Sequence, residues 1–378
     1  MYIKLIDTET KFDEVKNIWM SFEKKINNRN ISSSYIWQRT WWKYFKNYEN
    51  KKFGYNKKLC ILFLYNKNNV LKAIASFCEV TRKIYFLKFK TIEFISSQWG
   101  GTYLDILSDG LKKEEYNFIF NWLKKNSKYD LLVLRYIPEF THNFDLNENN
   151  MTILSACPEI KISNFKNMEH YRQKKYSKSL KQNLRTSKNR MNRDDINYKE
   201  NIVKNFKYFD YTNIKNISKS KLIDNKGCIY ENSQIEAFLK DIYFNKEFPN
   251  NVVKILFNNK LVCYRINFLY NNSKYCFDAS YDRNYRHYDL GALSVDLNIN
   301  NSFEKNYYIH CMGAGVDFYK FKFTKQIVKI YVFCKKGNTL TAPLWYVLAR
   351  WYSQRTEKKF NKELSRNFKK FNAKLERK

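Results

Sequence analysis

The apolar residues in the first part of the chain switch repeatedly between helical and strand spacing. Helical spacing over 10–26 predicts a helix with Thr10 as its N-cap. Its apolar positions are Phe12, Val15, Ile18, Trp19 and Phe22. An aromatic-rich stretch over 32–48 predicts a second short helix. Two apolar runs at 58–66 and 70–81, separated by a short polar turn, predict a β-hairpin.

The same alternation continues through the middle of the chain. A helical pattern over 114–126 precedes a buried strand over 129–138. Helical patterns return at 177–193 and at 233–245. In the helix at 177–193, Lys and Arg surround a narrow apolar stripe, a pattern that favours a surface helix over a nucleic-acid-binding one. Three strand-like runs within 251–282, joined by Asn-rich turns, predict an antiparallel meander. We therefore expect an α+β fold with two similar halves, each a mixed, largely antiparallel sheet flanked by helices.

The stretch that begins at Leu290 is apolar on two sides of a helix. One side carries Leu290, Leu293 and Leu297, and the other carries Ala292, Val295, Ile299 and Phe303. A helix that is apolar on both sides is buried on both sides. A short strand at 307–311, a Gly-rich turn and a strand at 326–334 follow it.

The C-terminal stretch predicts one long, basic, amphipathic helix. From Ala342 onward its apolar positions recur at intervals of three and four residues, at Phe360, Leu364, Phe368, Phe371 and Leu375. Such a helix can lie on a membrane surface, although the pattern favours packing on its own domain. The length of 378 residues fits two domains, which we place at 1–165 and 166–340, with the basic helix at 341–378.

Composition adds a large excess of positive charge. The 69 Lys and Arg exceed the 36 Asp and Glu and give a formal net charge of +33, which indicates anionic partners such as nucleic acid or a membrane surface. The chain is also rich in Lys, Asn, Ile, Tyr and Phe, as an AT-rich coding sequence would make it. Both interpretations stay open, a functional patch and a solvated, compositionally biased surface.

The cysteines and the N-terminus bear on the compartment. The 8 cysteines are scattered, without a C-x-x-C pair or a Cys/His cluster at metal-ligand spacing, so we expect buried free thiols and no metal. The N-terminal residues carry charges where a signal peptide needs an apolar stretch, and no apolar run approaches the length of a bilayer span. These features predict a cytoplasmic protein and leave its oligomeric state open.

The start of the doubly apolar helix is the main candidate for a ligand site. Asp289 and Gly291 occupy its first positions, after the meander and a polar loop. The free N–H groups and dipole of a helix N-terminus bind anions, and a residue without Cβ lets a pyrophosphate approach the backbone. The structural alternative makes Asp289 an N-cap and Gly291 a packing glycine.

The order of motifs after the meander carries a resemblance to a known family. The motif positions are Tyr281 and Asp282 after the last meander strand, Tyr288 and Gly291 at the helix start, and Gly313 and Gly315 in the turn before "DFYKFKF". This order resembles the BioF2-like (CelD-like) acyltransferase domain of the GNAT superfamily and, more distantly, the FemAB-type aminoacyl transferases.

The resemblance extends to other segments and has two departures. The aromatic segment at 32–45, "YLDIL" at 103–107 and "LKQNLRTSKNRM" match further family motifs, so the likeness covers roughly Ser32 to Phe333. Asp289 and Leu290 stand where the family has Ser-Pro, and His310 stands near a position where an acidic residue is common.

The resemblance implies tandem GNAT-like domains that transfer an acyl group from acetyl-CoA or another acyl-CoA. The acceptor would be an amine or hydroxyl of a small molecule, sugar or cell-envelope precursor. The implied cofactor-binding positions are His287, Tyr288, Asp289, Leu290, Gly291, Ala292, Gly313 and Gly315. In that setting Asp278 and His310 are candidate general bases, because both end strands that border the expected cleft.

Three further residues are candidates for stabilising charge in that reaction. Tyr281 would donate to a leaving thiolate or an oxyanion, and Lys320 or Lys322 would neutralise phosphate or transition-state charge. Each candidate also has a structural interpretation, as a turn carboxylate, a core histidine, a packing tyrosine or a strand lysine.

Two other functions stay open. A FemAB-like transferase would use aminoacyl-tRNA as its donor and would place the basic helix at 177–193 and the basic tail on RNA phosphates. A GNAT-like scaffold without catalysis would bind nucleic acid or an anionic membrane. The chain lacks the long helical-hairpin insertion of many FemAB enzymes, which favours an acyl-CoA donor and an acyl group other than an aminoacyl group.

Overall fold

The computed structural model describes residues 1–141, 150–204, 208–224 and 227–376, without the side chains of 208–210 and 370–376. Contacts divide the chain into unit 1, Met1–Ala156 with Val328–Leu364, and unit 2, Cys157–Ile327 with Ser365–Lys378. This division is interleaved, whereas the sequence suggested boundaries after 165 and 340. Each unit combines a sheet with flanking helices, so the predicted α+β class is confirmed.

The secondary structure comprises thirteen strands and eleven α-helices within the described residues. The strands are β1 (Tyr2–Ile6), β2 (Tyr55–Tyr65), β3 (Leu71–Ile84), β4 (Leu87–Phe94), β5 (Leu107–Ser108), β6 (Leu131–Pro138), β7 (Met151–Lys161), β8 (Tyr198–Lys204), β9 (Asn250–Phe257), β10 (Lys260–Tyr270), β11 (Ser273–Tyr281), β12 (Ile309–Cys311) and β13 (Ile327–Lys336). The helices are α1 (Glu9–Glu14), α2 (Lys16–Lys25), α3 (Tyr35–Phe45), α4 (Lys113–Asn126), α5 (Met168–Lys175), α6 (Lys178–Arg193), α7 (Tyr208–Lys219), α8 (Ser233–Phe244), α9 (Leu290–Glu304), α10 (Phe318–Phe321) and α11 (Ala342–Glu376).

The sheet of unit 1 has the strand order β1-β2-β3-β4-β6-β13, with β5 paired to β3. Strands β2 and β3 form the predicted hairpin, and β4 extends it. The predicted first helix is divided into α1 and α2. Its N-cap is Thr8 and not Thr10, because the Thr8 side chain accepts a hydrogen bond from the Lys11 backbone N–H.

The sheet of unit 2 has the strand order β7-β12-β11-β10-β9-β8. Strands β9, β10 and β11 form the predicted antiparallel meander. The two connecting turns place Asn258, Asn259, Asn271 and Asn272 at positive φ, a conformation that Asn adopts readily in two-residue hairpins. Strand β12 pairs in parallel with the beginning of β11, at Ser273, Lys274 and Tyr275 only.

Helix α9 is buried on two sides, as its sequence pattern predicts. Leu290 and Leu293 belong to an apolar cluster with β9 and β10 residues. Ala292, Val295 and Ile299 belong to a second cluster that includes α5 and α6 residues. Its beginning is therefore fixed by packing on both sides.

The remaining global features concern the tail, the thiols and the membrane. Helix α11 covers most of the predicted tail helix, but Phe371 and Leu375 lie among the undescribed side chains and residues 377–378 lie outside the description. All 8 cysteines are free thiols, and only Cys276 is not fully buried. Among the described residues, no helix has the length and hydrophobicity that crossing a bilayer requires.

Candidate functional site

A cavity of about 320 Å³ opens at the N-terminal end of α9 in unit 2. Strands β10 and β11 form one side, α9 forms another, and the segment 319–323 completes the lining. The side chains that matter for its chemistry are Arg265, Tyr281, Arg283, Asp289, Tyr319 and Lys322. Three cations and one carboxylate in this lining make the cavity suitable for an anion.

Arg265 is the most buried of these cations. It lies on β10 opposite Ala279 of β11 and is only 6% exposed. One guanidinium nitrogen, Nη2, donates to Ser294 Oγ at 3.4 Å, and Nε has no hydrogen-bond partner within the described part of the chain. A buried donor without an acceptor is costly unless a ligand supplies one.

The other two cations differ in how far the protein neutralises them. Arg283 pairs with Asp224 Oδ2 at 2.7 Å and lies 4.1 Å above the Tyr281 ring. Lys322 also lines the cavity, where it interacts electrostatically with the Asp289 carboxyl group, and among the described residues its ammonium forms no hydrogen bond or close ion pair. Arg265 and Lys322 are therefore the cations available to a ligand.

Asp289 enters α9 in the left-handed conformation, with φ 49° and ψ 37°, which Asp tolerates better than most residues. Its backbone carbonyl accepts from the N–H groups of Ala292 and Leu293, while its side chain lines the cavity without capping the helix. Burial raises the pKa of Asp289 above its ordinary value, and the Lys322 ammonium opposes that rise. Asp289 thus adds an acidic group, whose neutral form burial favours, to an otherwise cationic cavity.

Gly291 lines the cavity without any conformational need for glycine. Its φ is not positive, and a Cβ built there would lie 3.6 Å from the Tyr281 ring, an ordinary contact. The protein therefore has room for a side chain at 291. The glycine leaves open space that faces the cavity, next to the backbone N–H groups of the first turn of α9.

The Gly-rich turn has a different role. Gly313 has φ +77° and a Cβ there would lie 2.7 Å from the Cys276 carbonyl oxygen, so the fold itself requires glycine. Lys320 is buried and its Nζ donates to the carbonyl oxygens of Gly313, Ala314 and Gly315 at 3.0, 2.8 and 3.2 Å. Lys320 holds this turn together, whereas Lys322 faces the cavity because 318–321 is a helical turn, α10, and not a strand.

Asp278 lies on the opposite side of the β10–β11 pair. A register shift between Ile266 and Asn267 separates it from the residues that face α9. Its carboxylate accepts from the hydroxyls of Tyr264 and Tyr230 at 2.7 and 3.1 Å, and Lys221 Nζ lies 3.3 Å away. Burial raises the pKa of both tyrosines well above the ordinary value.

His310 lies in a polar network beneath α9. Its Nδ1 is 2.7 Å from Ser302 Oγ and its Nε2 is 3.6 Å from Cys276 Sγ. Burial lowers the pKa of His310 well below its ordinary value, and the cations Lys274 and Arg265 lower it further. The ring is therefore neutral near pH 7, and it is fully buried outside the lining of the cavity.

The structure brings only part of the predicted site together. Tyr281, Asp289, Gly291, Ala292 and Lys322 line the cavity. The residues placed elsewhere are Asp278, His287, Tyr288, Leu290, His310, Gly313, Gly315 and Lys320. Tyr288, for example, donates to Asp194 Oδ2 at 2.8 Å and packs on Phe257.

Sequence reasoning missed Arg265 and Ser294, and it placed Tyr319 only in the motif that follows the Gly-rich turn. Arg265 had a usable signal, because "LVCYRINF" places one arginine inside an otherwise apolar strand run. A charged residue in such a run is either paired or functional. Ser294 gave no signal, since its contribution depends on how α9 approaches β10.

The comparisons with solved structures concern the fold. No protein-family model and no curated relative match the chain. The crystal structure of FemX matches with a TM-score of 0.57 and 10% identity, covering 92% of this chain and 99% of that one. The chain shares its fold with FemX.

Two further structures match over most of the chain. A conserved protein of unknown function from Bacteroides thetaiotaomicron has a TM-score of 0.52 at 12% identity, covering 89% of this chain and 100% of that one. A tandem GNAT protein from the clavulanic acid biosynthesis pathway has a TM-score of 0.45 at 7% identity, covering 89% and 98%. At these identities the likeness concerns architecture, and the chemistry has to be argued from the cavity.

Proposed function

We propose that unit 2 is an acyltransferase of the BioF2-like type, which takes an acyl group from acetyl-CoA or another acyl-CoA. The observation that carries the proposal is the cavity at the start of α9, where Gly291 leaves space that the fold does not need and Arg265 Nε has no acceptor among the described residues. Phosphate oxygens of a CoA donor would supply acceptors for Arg265 and Lys322 and would meet the first N–H groups of α9.

The residues of the chain would contribute binding and proton donation. Tyr281 and Tyr319 line the same cavity and are the hydroxyl groups available to a leaving thiolate. The general base stays unassigned, since Asp278 and His310 do not line this cavity. The acceptor would be an amine or hydroxyl, as in a small molecule, a sugar or an envelope precursor.

The test is a calorimetric titration of CoA and acetyl-CoA into the wild type, Gly291→Asp and Gly227→Asp. A carboxylate at 291 would project into the anion site, so we expect at least about tenfold weaker binding. Gly227 has no atom within 4 Å of a built Cβ and provides the matched control. Absence of CoA binding by the wild type would refute the donor, and equal binding by Gly291→Asp would refute the site.

A second candidate donor is aminoacyl-tRNA. The observation in its favour is that Arg190 of the basic helix α6 donates to the His287 carbonyl at 2.9 Å, beside the loop that leads into α9. Exposed cations on α6 therefore lie near the same helix start. Titration with tRNA in place of CoA distinguishes the two donors. If aminoacyl-tRNA is the donor, tRNA binding should weaken steeply as salt is added, and CoA should not displace the bound tRNA.

A further inference from the structure

The first half of α11 has an exposed apolar stripe in unit 1. Its residues are Leu344, Val347, Leu348, Trp351 and Tyr352, each between 44% and 64% exposed. They recur at intervals of three and four residues, so they form one continuous face of the helix. A row of exposed large apolar side chains that includes two aromatics indicates a surface that is covered in use.

The opposite face of the same helix segment already packs on unit 1. Trp345 is buried against Leu131, Val133, Val332 and Cys334. The first half of α11 is therefore apolar on two sides, and packing within the described part of the chain uses only one of them. The exposed stripe is thus additional to the face that anchors the helix.

The exposed stripe becomes basic one turn further along the helix. The same face continues with four exposed cations, Arg355, Lys358, Lys359 and Lys362, and the Arg355 guanidinium lies 5.4 Å from the Trp351 ring. Helix α11 carries 9 Lys and Arg but only 3 Glu. One of these, Glu357, accepts a hydrogen bond from the Ile153 N–H at 2.9 Å. The face presents apolar and cationic groups in succession.

A hairpin tip adds a second exposed aromatic element. Tyr85 and Phe86, between β3 and β4, are 95% and 88% exposed and stand between Lys83 and Lys88. Strand β4 leads from this tip to Phe89, whose ring stacks on Trp345 of α11 at 4.1 Å. The tip thus lies at the end of a strand whose Phe89 packs on the beginning of α11.

We propose that the exposed stripe of α11, together with the Tyr85–Phe86 tip, docks on the surface of an anionic lipid bilayer. Aromatic and aliphatic side chains would enter the interfacial region while the following cations meet lipid phosphates. Charge complementarity favours this partner over a second copy of the chain, because two copies would place cationic surfaces against each other. The proposal does not depend on the reaction proposed for unit 2.

The test is co-sedimentation of the full chain with phosphatidylcholine vesicles and with vesicles that also contain phosphatidylglycerol. We expect binding to the anionic vesicles that falls with salt, and weak binding to the neutral ones. The pair Val347→Ser with Trp351→Ser should weaken partition by about tenfold or more, because the apolar area is lost. Ile18→Ser, at an exposed position of α2, is the matched control and should bind normally.

A charge variant completes the experiment. Lys358→Glu with Lys362→Glu should remove most of the preference for anionic vesicles, whereas Lys125→Glu on α4 should not. Circular dichroism confirms that each variant is folded. Equal binding to both vesicle types, or unchanged binding by the stripe pair, would overturn the proposal. So would a concentration-dependent dimer that the stripe pair abolishes, since the face would then contact a second copy.

Discussion

Two largely buried arginines, one in each unit, differ in whether the protein supplies a carboxylate to pair with the guanidinium. Arg82 in unit 1 donates to both oxygens of the buried Glu93, from Nε at 2.8 Å and Nη2 at 2.6 Å. Thr91 and Gln98 also donate to that carboxylate, at 2.6 and 2.9 Å. Arg265 in unit 2 is more deeply buried than Arg82, but it has no carboxylate partner among the described residues, and its Nε is unpaired there.

This difference in pairing indicates a structural role for Arg82 and a ligand-binding role for Arg265. Burial alone would raise the pKa of Glu93, but Arg82 lowers it to about 2, so the pair stays ionised and complete within the fold. Arg265 has neutral partners and no carboxylate among the described residues, its Nε stays unpaired there, and it lines a cavity. A buried cation beside open space therefore identifies a ligand site better than its burial alone would.

The largest expected effect is at the paired charge. Arg82→Met leaves the Glu93 carboxylate buried without its cation, which should lower the free energy of unfolding by about 3–5 kcal/mol. Urea denaturation at pH 7 measures it, with Arg82→Met combined with Glu93→Gln as the control that regains most of the loss. Because the folded pKa of Glu93 is depressed, the wild-type advantage should disappear as the pH falls from 4.5 towards 2.

Replacing Arg265 should affect ligand binding and leave stability intact, the reverse of the effect expected for Arg82. Arg265→Met removes a desolvated cation and leaves no buried countercharge, so stability in urea should stay equal or increase. CoA affinity should fall by about 1.5–3 kcal/mol, the value of hydrogen bonds to a charged group. Calorimetry and urea denaturation on the same preparation give both values. A variant that unfolds readily while binding CoA normally would make Arg265 a structural residue like Arg82.

Lys274 offers an intermediate case, a buried cation whose partners are neutral. Its Nζ donates to Asn301 Oδ1 at 2.6 Å and to two Asn298 oxygens at 3.2 Å, and burial lowers its pKa from 10.5 to about 7. Between those values the unfolded chain binds a proton that the folded chain does not. Stability should therefore rise with pH, by up to about 1.4 kcal/mol per unit.

Lys274→Met removes that dependence. The comparison is urea denaturation of both proteins at pH 7 and pH 9, with the wild type gaining stability relative to the variant. Parallel pH profiles would mean that the Lys274 ammonium stays protonated inside its shell of amide oxygens.

The smallest effect contrasts two glycines. Gly291→Ala should change stability by at most about 1 kcal/mol, in the stabilising direction, because the new Cβ meets no close atom and Ala favours the helix. Gly337→Ala in unit 1 should destabilise by about 1–3 kcal/mol, since its Cβ would lie 1.9 Å from the Tyr129 carbonyl oxygen. Thermal melts rank the two, and the reverse ranking would show that Gly291 is needed for packing.

The sequence predicted the elements whose signals are local. The two-sided apolar pattern of α9 and the Asn-rich turns of the meander each depend on a few neighbouring residues, and both are found as expected. The helix start at Asp289 and Gly291 also emerged from the sequence as the best candidate site, and the cavity lies there.

What the sequence could not provide are properties set by distant contacts. Choosing between Lys320 and Lys322 required knowing that 318–321 forms one helical turn, which directs Lys320 to the turn carbonyls. Locating Asp278 away from the cavity required the register shift between β10 and β11. Neither property leaves a pattern in the local residue order.

The interleaved division of the chain has a consequence for its biosynthesis. Unit 1 needs β13 beside β6, and Asn338 Oδ1 accepts from the Tyr129 N–H across 209 residues of sequence. A ribosome that has released the first 156 residues has not yet produced the last strand of that unit. The edge of β6 in the early segment therefore stays without its partner strand until the residues of β8 to β12 have been translated. Chaperone demand during synthesis should therefore fall on the N-terminal segment, and a truncation at 156 should aggregate.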